Sequence, residues 1–313
     1  MKGRVDNALL HAEASDACSK LWDGTELDFV YLDPPYGVGT EMIARTKAGE
    51  ARGRKRPGSS PVAYKDGSDT EALIAMLQRT ATAIRARMAT SATFCVHMDQ
   101  RAVHEAKVAM DSVFGRGAFL GEVIWTPGNG ARGKGLAVTH QTLLLYVRDA
   151  SERKGAKWNS KHHLLREPFA NTSLSMHFKN LDEHGRQYRD RIINGKTYRY
   201  FADEGRRLGS VWTDIPAMVA NTPLMGEGTG YPTQKPEKLL ERLIVATTDE
   251  GQTVADFMCG SGTTLAVAHK LGRRFIGGDM GELAIETSER RLSALGASFR
   301  LRGREKFARS AEE

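Results

Sequence analysis

Apolar and polar positions along most of this chain alternate between a strand period and a helix period. Leu27–Leu32 (LDFVYL) is a short apolar run rich in aromatic and β-branched residues, the pattern of a buried strand. Two prolines stop it at once, since neither can donate to a sheet ladder. Thr70–Ala89 places Leu73, Met76, Leu77, Ala81 and Ile84 on one helical face. Ala92–Met98 reads as a buried strand, Val103–Phe114 as a helix, and Gly121–Trp125 and Thr142–Val147 as further strands. The alternation resumes late in the chain. A helix over Glu237–Thr247 buries Leu239, Leu240, Leu243 and Ile244, and a strand follows at Thr253–Phe257. After a Gly-rich turn come the helix Thr263–Leu271, a strand from Arg274 that ends at Asp279, and the helix Glu282–Leu295. Strands alternating with helices predict a mostly parallel sheet in an α/β fold.

The pattern lapses in the middle. Asp149–Gly209 is polar and basic, with interspersed aromatics and little sustained periodicity. The expected organisation is therefore one half-domain over residues 1–148, an inserted region over 149–209, a second half-domain over 210–298, and a charged tail over 299–313 that frays. Gly37–Pro61 reads as a long loop, and loops of that length in a compact domain are usually functional or disordered.

Composition narrows the class. The 313 residues suffice for one large α/β domain with a smaller lobe. No apolar run approaches the roughly 20 residues that span a membrane, and the N-terminus lacks the apolar core and cleavage site of a secretory signal. Cys18, Cys95 and Cys259 form no CxxC pair, which argues against a disulfide framework or a zinc site and fits a reducing cytoplasm. No metal is expected. The net charge of +7 is compatible with a polyanionic partner. Its distribution says more: Arg45, Lys47, Arg52, Arg54, Lys55 and Arg56 crowd one stretch, opposed only by Glu50. A second basic region holds Arg186, Arg189, Arg191, Lys196, Arg199, Arg206 and Arg207. Both are candidates for phosphate contact, or are simply solvated surface.

Two motifs carry chemistry. The first is Asp256-Phe257-Met258-Cys259-Gly260-Ser261-Gly262-Thr263-Thr264, between a strand and a helix. Small residues there let the backbone turn tightly and approach a ligand at a helix N-terminus. Asp279, ending the next strand, can bind the ribose hydroxyls of a nucleoside cofactor. This order alone does not separate a dinucleotide from S-adenosyl-L-methionine. Leu265, however, takes the place of the third glycine of the dinucleotide fingerprint, which disfavours a pyrophosphate. A phosphate-binding P-loop is also missing, because Asp190 stands where Gly195-Lys196-Thr197 would need its first glycine.

The second motif is Asp33-Pro34-Pro35-Tyr36. An exocyclic amine of adenine or cytosine is a poor nucleophile, because its lone pair is delocalised into the ring. Two acceptors for its two N–H bonds free that pair and aim it at a methyl group. The Asp33 carboxylate is one acceptor, and the Pro34 carbonyl is a candidate for the other. Pro34 and Pro35 make the turn rigid, which suits catalysis by orientation. Tyr36 offers an aromatic face for a base flipped out of its duplex.

These residues and their order resemble the beta-class S-adenosylmethionine-dependent DNA amino-methyltransferases of restriction–modification systems. In that class the D-P-P-Y motif precedes the target-recognition region and the cofactor motif comes last. Tyr231-Pro232-Thr233-Gln234-Lys235-Pro236 resembles the family's Y-P-T-Q-K-P motif, and Arg273–Asp279 resembles its R-R-F-I-G-x-D strand. The resemblance implies a class I methyltransferase (Rossmann-like) sheet in permuted motif order. It implies that Phe257 contacts the cofactor, that Gly260 and Gly262 lie at its amino-acid moiety, and that Thr233 and Lys235 line the other side of the pocket. With Glu13, Asp33, Asp256, Cys259, Ser261, Thr263 and Asp279 these make the expected cofactor set. Glu13 stands near the place of the family's H-G-D aspartate, one carbon longer. The implied partners are duplex DNA, a second copy of the chain and a cognate restriction endonuclease.

The D-P-P-Y sequence leans towards adenine N6 within that family. Cytosine N4, an RNA adenine and a non-catalytic DNA-binding subunit remain alternatives. Cytosine C5 chemistry does not fit, since no cysteine follows a proline.

Overall fold

The computed structural model describes residues 7–21, 24–36, 41–43, 62–65, 67, 69–128, 135–218 and 226–303. The basic stretch from Arg45 to Arg56 lies outside them. Two compact units emerge, one of Met1–Lys157 with Val211–Glu313 and one of Trp158–Ser210.

The first part of the large unit runs β1 (Ala8–His11), α1 (Ala14–Ser19), β2 (Leu27–Leu32), β3 (Glu41–Ile43), β4 (Val62–Lys65), α2 (Thr70–Arg85), β5 (Met88–Met98), α3 (Val103–Phe114), β6 (Phe119–Trp125) and β7 (Gln141–Val147). The small unit contributes β8 (Arg166–Glu167), α4 (Asn171–His177), β9 (Asn180–Leu181), β10 (Gln187–Ile193), β11 (Lys196–Phe201) and β12 (Arg206–Arg207). The large unit then resumes with β13 (Val211–Trp212), α5 (Glu237–Thr247), β14 (Thr253–Asp256), α6 (Thr263–Lys270), β15 (Arg274–Asp279), α7 (Glu282–Ala294) and β16 (Arg300–Arg302).

The large unit is built on a nine-stranded sheet in the order β13-β6-β7-β5-β2-β14-β15-β1-β16. Only β7 runs antiparallel to its neighbours. Strands β2, β5, β14 and β15 are largely buried, as in a parallel sheet covered by helices. From β2 the chain moves to β5 on one side, and from β14 to β15 on the other, so the winding direction switches between the paired strands β2 and β14. In an open α/β sheet a ligand crevice forms beyond the carboxyl ends of strands at such a switch. Asp28 pins the pair at the opposite end, accepting from the Thr253 backbone N–H at 2.8 Å and from Gln252 Nε2 at 2.9 Å.

Four elements differ from the sequence expectation. Within Gly37–Pro61, expected as a loop, Glu41–Ile43 pairs antiparallel with Val62–Lys65. The charged tail does not fray at once, because Arg300–Arg302 pairs in parallel with β1. The first helix expected over Thr70–Ala89 stops at Arg85, and the next strand begins at Met88. The inserted region is not irregular. Gln187–Ile193 and Lys196–Phe201 form an antiparallel hairpin closed at Ile193↔Lys196. Asn194 (φ 50°) and Gly195 (φ 74°) make its two-residue turn, and Asn-Gly is the pair whose left-handed preference suits a hairpin turn.

Where the chain re-enters the large unit, Arg242 of α5 is 4% exposed and makes a bidentate pair with Asp214 at 2.9 and 2.6 Å. Its guanidinium also lies 4.9 Å from the ring centroid of buried Trp212. Arg242 holds the Asp214 carboxyl well below the usual carboxylate range. Asp214→Ala leaves a guanidinium buried without its counter-charge. We expect a loss of about 1–3 kcal/mol, read as a melting temperature several degrees lower, whereas Asp214→Glu retains most of the stability.

Candidate active site

Three adjacent strands end at one place. The carboxyl end of β2 delivers Asp33, that of β14 delivers Asp256, and that of β15 delivers Asp279. Between them lies a cavity of about 310 Å³ lined by Glu13, Asp33, Pro35, Tyr231, Thr233, Lys235, Phe257, Gly260, Ser261, Thr263 and Asp279, among others. Every one of these residues belongs to the large unit.

The Gly-rich turn after β14 is held from several directions. Asp256, 2% exposed, accepts from the Met258 backbone N–H at 3.1 Å and from the Thr264 hydroxyl at 2.6 Å. Burial pushes its carboxyl up to about 7. Its two oxygens thus fasten the ends of the turn. The Cys259 N–H donates to the Gly278 carbonyl at 3.0 Å, and the Gly260 N–H donates to Asp279 Oδ2 at 2.9 Å. From α7, Ser288 donates to the Gly260 carbonyl at 3.0 Å, and Arg291 reaches the Ser261 carbonyl and the Thr263 hydroxyl. Gly262 caps α6 at φ +71°, where a Cβ would lie 2.7 Å from the Ser288 hydroxyl. A Cβ on Gly260 would come within 3.1 Å of the Tyr231 ring. Both glycines are required by close approach as well as by conformation. Cys259 is buried, its thiol pushed well above the ordinary range by burial, and it packs rather than reacts.

Asp279 accepts at both oxygens from backbone N–H groups, Gly260 on one and Gly281 on the other. Burial raises its carboxyl above the ordinary value. Glu13 caps α1, accepting from the backbone N–H groups of Ser15 and Asp16 while lining the cavity. The donor set fits a nucleoside cofactor: an acidic group at a strand end, a glycine backbone free of side chains, and the aromatic walls Phe257 and Tyr231.

On the β2 side, the Tyr36 hydroxyl donates to Asp33 Oδ1 at 2.5 Å. Lys235 Nζ donates to Asp33 Oδ2 at 2.5 Å and lies 3.2 Å from the Tyr36 hydroxyl. Burial, reinforced by Asp33, keeps the Tyr36 phenol protonated and therefore a donor. Lys235, which the family resemblance implies on the cofactor side, lines this cavity and directs its ammonium to the D-P-P-Y carboxylate. Two residues with no role assigned from sequence also stand here. Tyr231 walls the cavity. His97, fully buried in β5, shares a 2.6 Å hydrogen bond with the Tyr31 hydroxyl and sits 6.5 Å from the Tyr36 ring and 5.6 Å from Trp125. Its position in an apolar strand is the only sequence signal, and that signal is shared by many core residues.

The family model described as DNA methylase, N6/N4 type, matches residues 27–290. The chain belongs to this family. It is 43% identical over 93 residues to the type II methyltransferase M2.DpnII of Streptococcus pneumoniae, a match covering 29% of this chain and 33% of that protein. It is 45% identical over 84 residues to the DNA adenine methyltransferase YhdJ of Escherichia coli K12, covering 27% of each. These matches thus span a third or less of the relatives' length. The crystal structure of the M1.HpyAVI–SAM complex shares the fold, with a TM-score of 0.52 at 17% identity over 91% of this chain and 98% of that one.

The small unit carries a hairpin whose basic residues divide into two groups. Arg186 pairs with Asp203 at 2.8 and 2.9 Å, and Arg199 with Asp190 at 2.9 and 3.0 Å. Arg189 lies among the rings of Phe169, Phe178 and Tyr200. Arg191 and Lys196 are exposed, and among the described residues neither has an acidic partner within 4 Å. They share one hairpin face with Tyr198 and Ile193, by the pairings Arg191↔Tyr198 and Ile193↔Lys196.

Burial pushes the His97 imidazole down to about 3, and the Lys235 cation adds to this. In the unfolded chain it titrates near 6.5. As the pH falls from about 6.5 towards 3, the unfolded state binds a proton that the folded state refuses, so stability is lost in that window. Asp256 acts in the opposite sense, because its raised value favours the folded state as the pH falls. Thermal melting of wild type and His97→Gln from pH 7.5 to 4.5 separates the two. We expect the wild type to lose several degrees more over this range than the variant, whatever their absolute stabilities.

Proposed function

We propose that this chain transfers a methyl group from S-adenosyl-L-methionine to N6 of adenine in duplex DNA. The observation that carries the reading is the placement of the Asp33 carboxylate on the same cavity as the Gly260 turn and Asp279. A base-amine acceptor and a nucleoside site then face one another within one crevice. Bound there, the cofactor supplies an electrophilic methyl group. Asp279 would take the ribose hydroxyls, the Gly260–Gly262 backbone would meet the amino-acid portion, and Phe257 and Tyr231 would wall the rest.

The protein's part in the reaction is orientation. Asp33 accepts one amine N–H and the Pro34 carbonyl the other, which pyramidalises the nitrogen and localises on it the lone pair otherwise delocalised into the ring. Tyr36 fixes the carboxylate through its hydroxyl and presents its ring to the base. Because the base must reach this cavity, it leaves its duplex stack. The D-P-P-Y sequence and the name of the relative YhdJ support adenine over cytosine. The type II name of M2.DpnII supports a restriction endonuclease as the companion activity.

On the DNA side, Arg191 and Lys196 are the hairpin cations free to meet phosphates, with Tyr198 and Ile193 beside them. Arg186 and Arg199 are neutralised within the unit. Charge reversal at Arg191 and Lys196 together should weaken DNA binding and flatten its dependence on log salt by about one for each phosphate no longer neutralised. Arg186→Gln should leave that slope unchanged. Equal slopes for both variants would remove this hairpin face from the interface.

The reaction itself is tested by transfer of labelled methyl to unmethylated duplex DNA, followed by digestion to nucleosides. Label is expected in N6-methyldeoxyadenosine and should fall roughly 10²–10³-fold or more with Asp33→Ala. Label in N4-methyldeoxycytidine would keep the mechanism and overturn the base. Preferential labelling of RNA would overturn the polymer.

A further inference from the structure

Lys235 reaches into the amine-accepting turn from α5's leading edge, 8% exposed. Its ammonium donates to Asp33 Oδ2 at 2.5 Å, lies 3.2 Å from the Tyr36 hydroxyl, and stands 5.3 Å from the Tyr36 ring centroid. One side chain therefore satisfies the carboxylate oxygen a target amine needs and sits at the hydroxyl end of the ring on which a base would stack. An amine that accepts a methyl group also gains positive charge as it does so. A second positive charge on the same carboxylate raises the energy of that state, most of all in a dry cavity.

We infer that Lys235 is a built-in competitor for the amine position, and that the target amine reaches Asp33 by exchange with the Lys235 ammonium. The inference rests on the reading of Asp33 as the amine acceptor. The local backbone confines the exchange to the lysine side chain. Gln234 is fixed by bonds to Thr229 and to the Glu227 carbonyl, and Pro236 follows at the N-cap of α5. Thr233 holds φ at +57°, where a β-branched residue is strained, and such strain is found at segments whose geometry function dictates. The four-carbon stem of lysine then supplies the needed reach. The exchange makes Asp33 available only to a group that also carries N–H donors, so the site discriminates against bases that lack an amine there.

The test is amine competition in Lys235→Ala. Propylammonium chloride, compared with tetramethylammonium chloride at equal ionic strength, probes the vacated ammonium position. Calorimetry should show propylammonium binding to Lys235→Ala, but not to wild type or to the Lys235→Ala, Asp33→Asn double variant. In methyl-transfer assays it should inhibit Lys235→Ala several-fold, competitively with DNA, while tetramethylammonium does not. Rescue of Lys235→Ala by propylammonium would overturn the inference, since the cation would then be needed while the base is in place. So would the absence of any amine binding, or a tenfold loss of S-adenosylmethionine affinity in the variant, which would return Lys235 to the cofactor. Should the alanine variant not fold, Lys235→Met keeps the stem. Its KM for DNA falls several-fold if the lysine competes, and an unchanged or raised KM contradicts the exchange. Amine binding is measured without methyl transfer, so it decides the exchange even if the methylated base differs from the one proposed.

Discussion

Parallel pairing of β2, β14 and β15 brings three strand ends to one edge of the sheet, and the site follows from that constraint. Asp33 comes from near the start of the chain, Asp256 and Asp279 from near its end, and the β2–β14 pairing joins them. Register matters as much as adjacency. Val30 opposes Ala255 and Asp256 opposes Gly277, so both chain halves leave the sheet at the same height. A slip of one residue would turn each side chain to the other face of its strand. Buried apolar strands make such a slip costly, because it would move polar groups into the core.

Three carboxylates gathered at one edge present an electrostatic problem that the fold answers with three different devices. Asp256 is buried where the neutral form is favoured, and it accepts from Thr264 and Met258. Asp279 is held by two backbone N–H groups at the mouth of the Gly-rich turn. Asp33 takes a phenol and an ammonium, one on each oxygen. All three line the cavity, the first while holding the Gly-rich turn. His97, its imidazole pushed down by burial, lies 6.5 Å from the Tyr36 ring as a neutral neighbour.

Much of this is legible in the sequence because it rests on local signals. The strand Leu27–Leu32 cut off by two prolines, and the strand–GSG–helix–strand–acid order, both stand in the structure as read. What escapes are contacts between distant parts of the chain. Lys235 and Asp33 are separated by 202 positions, and nothing in the Y-P-T-Q-K-P motif says where the lysine points. The edge strand Arg300–Arg302 forms only because β1 offers an open ladder, and its own residues carry no strand pattern. The hairpin in the small unit is signalled by Asn194-Gly195. Its strands, however, are exposed on both faces and lack the alternation that burial imposes.

The claim that one crevice holds a separate amine acceptor and cofactor anchor is tested most directly by calorimetric titration of S-adenosylmethionine into Asp33→Asn and Asp279→Asn. We predict that Asp279→Asn weakens binding at least tenfold, while Asp33→Asn binds within a few-fold of wild type. Normal binding by Asp279→Asn, together with loss in Asp33→Asn, would contradict this division of the site.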